Sequence, residues 1–234
     1  MPKAPMSEAE VTKFRDRILD IALDIILKQG FDNLSIRKIA SRLGVTATTI
    51  YNYYSSKDEL NLMIRVRGFE TLHDMLKTKY DSSDNIETQF TGMIRAYVEF
   101  GLTYPGYYDL MFNLHTPKYL DYVGTGIEAT AHFEKQTALK CLDLFAQPVI
   151  DYLGVDNDRG ITTAQYMLIK YWSDLHGLIT LYNSRLFHEV TNEAEAFVDN
   201  RMQEMINEII QIRQRLDRGE PLSAMIPKPL RGDL

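Results

Sequence analysis

Three observations predict an all-α chain with a small helix-turn-helix head and a larger helical body. Apolar residues recur at helical spacing through nearly the whole length. Glycine and proline gather between the periodic stretches, and no hairpin turn signal separates alternating runs. Charge is divided unevenly: residues 1–67 carry a net +3 and the remainder −9, within a total of −6. A basic head on an acidic body points to a nucleic-acid partner for the head. Ordinary surface charge accounts for a value of +3 equally well.

The elements follow in order. Ser7 caps a first helix, with Glu10 three residues on as a capping box. Phe14, Ile18, Ile21, Ala22, Ile25 and Ile26 form its apolar stripe, and Gly30 stops it. Ser35 caps a short second helix, holding Ile36, Ile39, Ala40 and Leu43, that ends at Gly44. Thr46 starts a third, expected through Tyr53. A fourth opens after Ser55 or Ser56, with acids in its first turn, and runs to Tyr80. Residues 81–85 are a polar break, and a fifth helix covers 86–103. Pro105 suits the first turn of a sixth, 105–114, and Pro117 starts another piece. A long helix is expected over 125–153, kinked or split at Pro148. A loop at 154–160 leads to a helix over 161–187. The last helix, 192–218, carries Ala194, Phe197, Val198, Met202, Met205, Ile206, Ile209, Ile212 (or Ile210) and Leu216. Residues 219–234 hold three prolines and read as an extended tail.

Composition narrows the class. With 45% hydrophobic and 25% charged residues the chain is neither disordered nor collagen-like. One cysteine, Cys141, rules out an intramolecular disulfide or a cysteine-based zinc site and fits a reducing, cytoplasmic compartment. No apolar run approaches a membrane span, and the N-terminus lacks the apolar stretch of a secretory signal.

The strongest local signal lies between Leu34 and Leu60. Two short helices flank Leu43, Gly44 and Val45, and glycine enters the left-handed region that such a turn needs. Ile39, Ala40, Val45 and Ile50 stand where crossed helices pack, which is helix-turn-helix geometry. The second helix of the pair presents Thr46, Ala47, Thr48, Thr49, Tyr51, Asn52 and Tyr53, with no acid among them. Hydroxyls and an amide suit phosphates and base edges, and a methyl suits thymine. Arg37 and Lys38 precede this helix, and Lys57 follows at a helix start, where phosphate is well held. A bland helical hairpin with a polar face fits the bare pattern too.

The full strings are more specific. LSIRKIA at 34–40, LGVT at 43–46, TIYNYY at 49–54 and SKDEL at 56–60 closely resemble the TetR family of transcriptional regulators, over about residues 10–65. Leu43 stands where that family commonly has alanine, Thr48 where it has glycine or alanine, and Tyr54 where it has phenylalanine. Thr48 lies on the recognition helix, so its departure bears on operator preference and not on the fold. The resemblance implies an all-helical homodimer. Residues 7–56 would be the DNA-binding domain, 57–80 a connecting helix, and 81–218 an effector-binding and dimerisation domain. It implies DNA contacts at Ser35, Arg37, Thr46, Ala47, Thr48, Thr49, Tyr51, Asn52, Tyr53 and Lys57, with Tyr51 and Lys57 as phosphate anchors. It also implies that the last two helices pair with their copies in a four-helix bundle.

In the body, YYDLMF at 107–112 and WSDLHGL at 172–178 resemble the WHG-type C-terminal domain of a subset of these regulators. Trp172 and His176 share a helix face. That face reads as the lining of an effector cavity or, more commonly, as a core tryptophan with a hydrogen-bonded histidine. Tyr97, Tyr108, Met111, Phe112 and Phe133 complete the candidate pocket, whose aromatic and sulfur surface suits an apolar or aromatic effector. Such residues also fill ordinary cores.

No enzymatic signature is present. His73, His115, His132, His176 and His188 form no HExxH, and no nucleophile elbow, P-loop or dinucleotide fingerprint occurs. Cys141 lies in a helical stretch with no adjacent histidine. No catalytic residue, metal or cofactor is expected. The expected function is a homodimeric repressor released from a palindromic operator by a small effector. The alternatives are a DNA-binding protein without an effector, and a helical enzyme or interaction protein whose head only packs.

Overall fold

A computed structural model of the chain describes residues 7–154, 157–221 and 224–225, all helix or irregular structure with no strand among them. The first helix, α1 (Glu8–Gln29), begins where its capping residue dictates. The Ser7 hydroxyl accepts from the Glu10 N–H at 3.3 Å, and the Ser7 N–H donates to the Glu10 carboxylate at 2.8 Å. Ser35 caps α2 (Ile36–Leu43), accepting from the Lys38 N–H at 3.3 Å, and Thr46 caps α3 (Ala47–Tyr51), accepting from the Thr49 N–H at 3.2 Å. The third helix is shorter than its expected span. After Tyr51 the Tyr53 N–H reaches back to the Ile50 carbonyl at 2.9 Å, the three-residue bond that tightens a last turn. This turn seats Tyr54 in the core.

Gly44 sits at φ +68° between α2 and α3. A Cβ placed there would meet nothing within 4 Å, so its backbone alone demands glycine. Gly44→Ala is expected to lower unfolding free energy by about 1–2 kcal/mol, read from the midpoint of a urea titration. An unchanged midpoint would show that the turn relaxes at no cost.

The connecting helix α4 (Lys57–Tyr80) is capped by Ser56, whose hydroxyl accepts from the Glu59 N–H at 3.1 Å. Asn85 caps α5 (Ile86–Thr103), accepting from Thr88 at 2.9 Å. The expected sixth helix is α6 (Pro105–Tyr108) followed by a π-helical turn, Asp109–Asn113. A short 3₁₀ turn, Tyr119–Tyr122, precedes α7 (Glu128–Leu153).

Several boundaries differ from expectation. The long helix α7 continues through Pro148 to Leu153 without splitting. The next helix, α8 (Asn157–Asn183), begins before Gly160, where a loop was expected. One glycine costs a helix about 1 kcal/mol relative to alanine, a small penalty over 27 residues. The same helix stops short of 187 because Arg185 turns left-handed at φ +64°, giving a separate α9 (Leu186–Val190). The last helix, α10 (Ala194–Asp217), buries Ala194, Val198, Met202, Met205, Ile206, Ile209 and Ile212. Phe197, expected on that stripe, is 44% exposed and lies edge-on to Phe187, their centroids 5.1 Å apart. The expected extended tail falls outside the described residues except at 219–221 and 224–225.

Packing divides the chain into two compact units. Among the described residues, the first joins those up to Thr71 with Gly106–Leu139, and the second joins Leu72–Pro105 with those from Lys140 onward. The first is built on Ile18, Ile25, Ile26, Ile39, Ile50 and Leu60, with Leu110 joining the same core. In the second, Gly101 admits Ile179 so closely that a Cβ would stand 2.6 Å from its Cγ2.

Candidate nucleic-acid interface

Ile39, Ala40 and Ile50 are buried and fix α3 across α2. The small Ala40 lets the helices approach. With Ile50 turned inward, the opposite face of α3 and its flanks expose Thr46, Thr48, Tyr51 and Asn52. Tyr51 is 56% exposed, a large aromatic surface left in water on an otherwise polar face. Three other predicted contacts are engaged within the head. Ala47 packs against the core, the Tyr53 ring lies 5.1 Å from Phe14, and the Thr49 hydroxyl is 3.0 Å from that of Thr46. The Ser35 hydroxyl caps α2 at the Lys38 N–H, 3.3 Å away.

The cations around this face differ in freedom. Arg42 is ion-paired to Asp24 at 2.5 Å, and Lys28 together with Arg42 holds that carboxyl below its ordinary value. Lys38 donates to the Gln29 side chain at 2.9 Å. Lys57 stands over the Phe31 ring, 4.8 Å from its centroid. Arg37 is exposed and has no ion-pair partner among the described residues. The acids next to Lys57 are turned to other partners. The Glu59 carboxylate takes the Ser55 N–H and hydroxyl, each at 2.6 Å. Asp58 accepts from the Tyr122 hydroxyl at 3.5 Å, and burial pushes that phenol up to about 12. Lys57 is thus a cation at the start of α4 whose two acidic neighbours already hold hydrogen-bond donors, an arrangement suited to a phosphate.

Two turns further along α4 lies a buried polar cluster that no sequence motif marks. Arg65 pairs with Glu134 of α7 at 2.6 Å and donates to the Pro117 carbonyl at 3.3 Å. Asn61 and Thr116 are buried nearby in sequence; Asn61 acts on the Tyr122 phenol, and the Thr116 hydroxyl lacks a hydrogen-bond partner among the described residues.

The expected effector-pocket residues divide between the two units. In the first, Tyr108 and Met111 are buried and the Phe112 ring lies tilted against Tyr108, centroids 4.9 Å apart, while Phe133 is 47% exposed. In the second, Tyr97 is buried and its hydroxyl accepts from the Trp172 indole at 2.8 Å. Trp172 itself is 39% exposed, so it is not the enclosed core tryptophan of one sequence reading. Burial lowers the His176 pKa. An apolar cavity of about 20 Å³ lies in the second unit, lined by Ile94, Phe145, Val149, Leu153, Met167 and Tyr171 among others. None of the seven expected residues lines it, although the Phe145 ring lies tilted against Tyr97, their centroids 5.8 Å apart. Its wall comes from four helices distant in sequence, so no single string marks it.

Other chemistry finds little footing. Among the described residues no cluster of three or more His, Cys, Asp or Glu could hold a metal. Burial pushes the Cys141 thiol up to about 12. No helix among the described residues is long and apolar enough to cross a membrane.

Comparison with known proteins bears on both units. The profile described as "Bacterial regulatory proteins, tetR family" matches residues 18–62. A second, "Tetracyclin repressor-like, C-terminal domain", matches residues 90–205. An uncharacterized HTH-type transcriptional regulator of Mycobacterium tuberculosis, Rv0681, is 26% identical over 196 residues, 82% of this chain and 81% of that one. A TetR-family regulator from Bordetella parapertussis aligns with a TM-score of 0.62 at 17% identity, over 82% of this chain and 93% of that one. FadR from Bacillus subtilis, solved in complex with stearoyl-CoA, aligns with a TM-score of 0.59 at 12% identity, over 82% and 97%. At these identities the two structures show a shared fold.

Proposed function

The chain belongs to the TetR family of helix-turn-helix regulators and is a DNA-binding transcriptional regulator, not an enzyme, and from that premise we propose that it is a cytoplasmic homodimeric repressor, released from a palindromic operator when a small apolar effector binds its helical body. The observation that carries the reading is the acid-free face of α3, with Arg37 beside it and Lys57 at the start of α4. Thr48, Asn52 and Arg37 would read base edges, and Thr46, Tyr51, Lys57 and Ser35 would hold phosphates. Ala47, Thr49 and Tyr53 would contribute through the backbone and the edges of partly engaged side chains. In this scheme residues 7–56 bind DNA, α4 connects, and 81–218 bind effector and partner. Dimer formation is supported by large apolar side chains left exposed on the last long helices: Ile169, Trp172 and Leu181 on α8 and Phe197 on α10. FadR, of the same fold, was solved in complex with stearoyl-CoA, whose long acyl chain supports an effector with an extended apolar part.

Release requires that the effector prefer the state in which the two recognition helices no longer match their half-sites. A hundredfold loss of operator affinity needs about a hundredfold preference. The test begins with selection from randomised duplex DNA at near-physiological salt, because phosphate contacts alone can mask specificity. The expected product is an inverted repeat with half-sites about one helical turn apart, or a multiple of it. No enrichment, or an operator affinity that no bound molecule alters, would overturn the repressor-release reading.

One observation favours a second reading, a regulator without a small-molecule effector. The apolar cavity has room for about one water and no more.

A further inference from the structure

That small cavity has a wall built to yield. Its lining comes from Ile94 on α5, Phe145, Val149 and Leu153 on the C-terminal half of α7, Met167 and Tyr171 on α8, with α10 contributing Ile209. Pro148, itself buried, stands within the α7 wall. Proline has no N–H, so the Leu144 carbonyl lacks its donor four residues on, and the helix is weakest along the stretch that lines the cavity. The α7 residues lining it extend from 145 to 153, about 12 Å at 1.5 Å per residue. Of all the lining side chains one carries a polar atom, the phenol of Tyr171, and none is ionisable at neutral pH. Burial holds that phenol protonated, above its ordinary pKa. The charges beside Tyr171 are paired with each other, Lys170 over its ring at 4.4 Å with Glu208 at 2.9 Å, so a ligand charge placed among the apolar walls would lack a counterion of its own, at a penalty that apolar contact does not recover.

We propose that this cavity is the closed form of the effector site, that it opens by yielding of α7 at Pro148, and that it takes an elongated neutral apolar molecule with one hydrogen-bonding group, met by the Tyr171 hydroxyl. The proposal rests on the effector-responsive reading above and makes it specific. It selects against carboxylate- and ammonium-headed chains of the same length. It also supplies a reporter. Phe145, in the wall, packs its ring at a tilt against Tyr97, and the Tyr97 hydroxyl accepts from the indole of Trp172. Trp172 is the chain's one tryptophan. A ligand that displaces Phe145 moves Tyr97 and alters the Trp172 hydrogen bond.

The experiment titrates the full chain, without DNA, with 1-decanol, decanoate and decylammonium below their aggregation limits, following tryptophan emission. The expected result is a saturable shift with decanol and a response at least about 100-fold weaker from either charged probe. Val149→Phe fills the cavity and is expected to abolish the decanol response while helicity is retained. Should that variant misfold, Tyr171→Phe decides: it keeps the shape and removes the hydroxyl, and is expected to weaken decanol three- to tenfold, the worth of about one neutral hydrogen bond. Absence of a decanol response, equal responses to all three probes, an undiminished response in a folded Val149→Phe, or an unchanged affinity in Tyr171→Phe would each overturn the proposal. Operator release is measured separately. Decanol binding with no release would leave the site standing and remove the repressor-release reading.

Discussion

Glu134→Ala is expected to lower unfolding free energy by about 3–5 kcal/mol, the largest effect anticipated for a single substitution. The side chains of Arg65 and Glu134 are 6% and 4% exposed and meet at 2.6 Å. Burial is the largest influence on both, holding Arg65 below and Glu134 above their ordinary pKa values despite their mutual attraction. Without Glu134, the guanidinium keeps the Pro117 carbonyl at 3.3 Å as its hydrogen-bond acceptor. The paired replacement Arg65→Met with Glu134→Leu removes both charges and is expected to lie within about 1 kcal/mol of the parent, or above it. Urea titrations of the three proteins give the comparison. If the double variant falls as far as the single one, the loss comes from packing and not from an orphaned charge.

The second large effect concerns DNA. Asn52→Ala is expected to weaken operator binding by about 1–3 kcal/mol, the value of a good base-edge contact, while leaving binding to unrelated duplex unchanged. Lys57→Ala is expected to weaken both equally and to reduce the slope of log affinity against log salt by about one. Asn52 is exposed just after α3, whereas Lys57 opens α4 beside carboxylates already engaged by Ser55 and Tyr122. Anisotropy titrations at several salt concentrations separate the two behaviours. Equal loss on operator and unrelated duplex for Asn52→Ala would reassign that residue to the phosphates.

The head was legible because its determinants are local. Ser7, Ser35 and Thr46 each cap a helix by accepting from an N–H three residues ahead. Gly30 and Gly44 supply positive φ where α1 and α2 end. These relations lie within one helical turn, so residue types in order suffice to read them. The all-helical class and the alignment of this stretch with TetR-type strings follow from the same short-range information. The candidate contacts were less fully legible. Residue type placed Ala47, Thr49 and Tyr53 on the recognition face, but Ala47 and Tyr53 pack against the core and Phe14, and the Thr49 hydroxyl is engaged with that of Thr46.

The sequence alone determined where most helices begin, which residues face out beside Gly44, and the absence of catalytic strings. Only the tertiary structure decided that residues Gly106–Leu139 pack with the head, that Glu134 lies buried against Arg65, and that Trp172 bonds Tyr97. It also decided that α7 survives Pro148 and that Arg185 breaks the helix after Asn183. The physical reason is range. A cap is settled by neighbours three residues apart, whereas these features join positions some seventy apart, or depend on packing strong enough to override the local preference of a single proline or arginine.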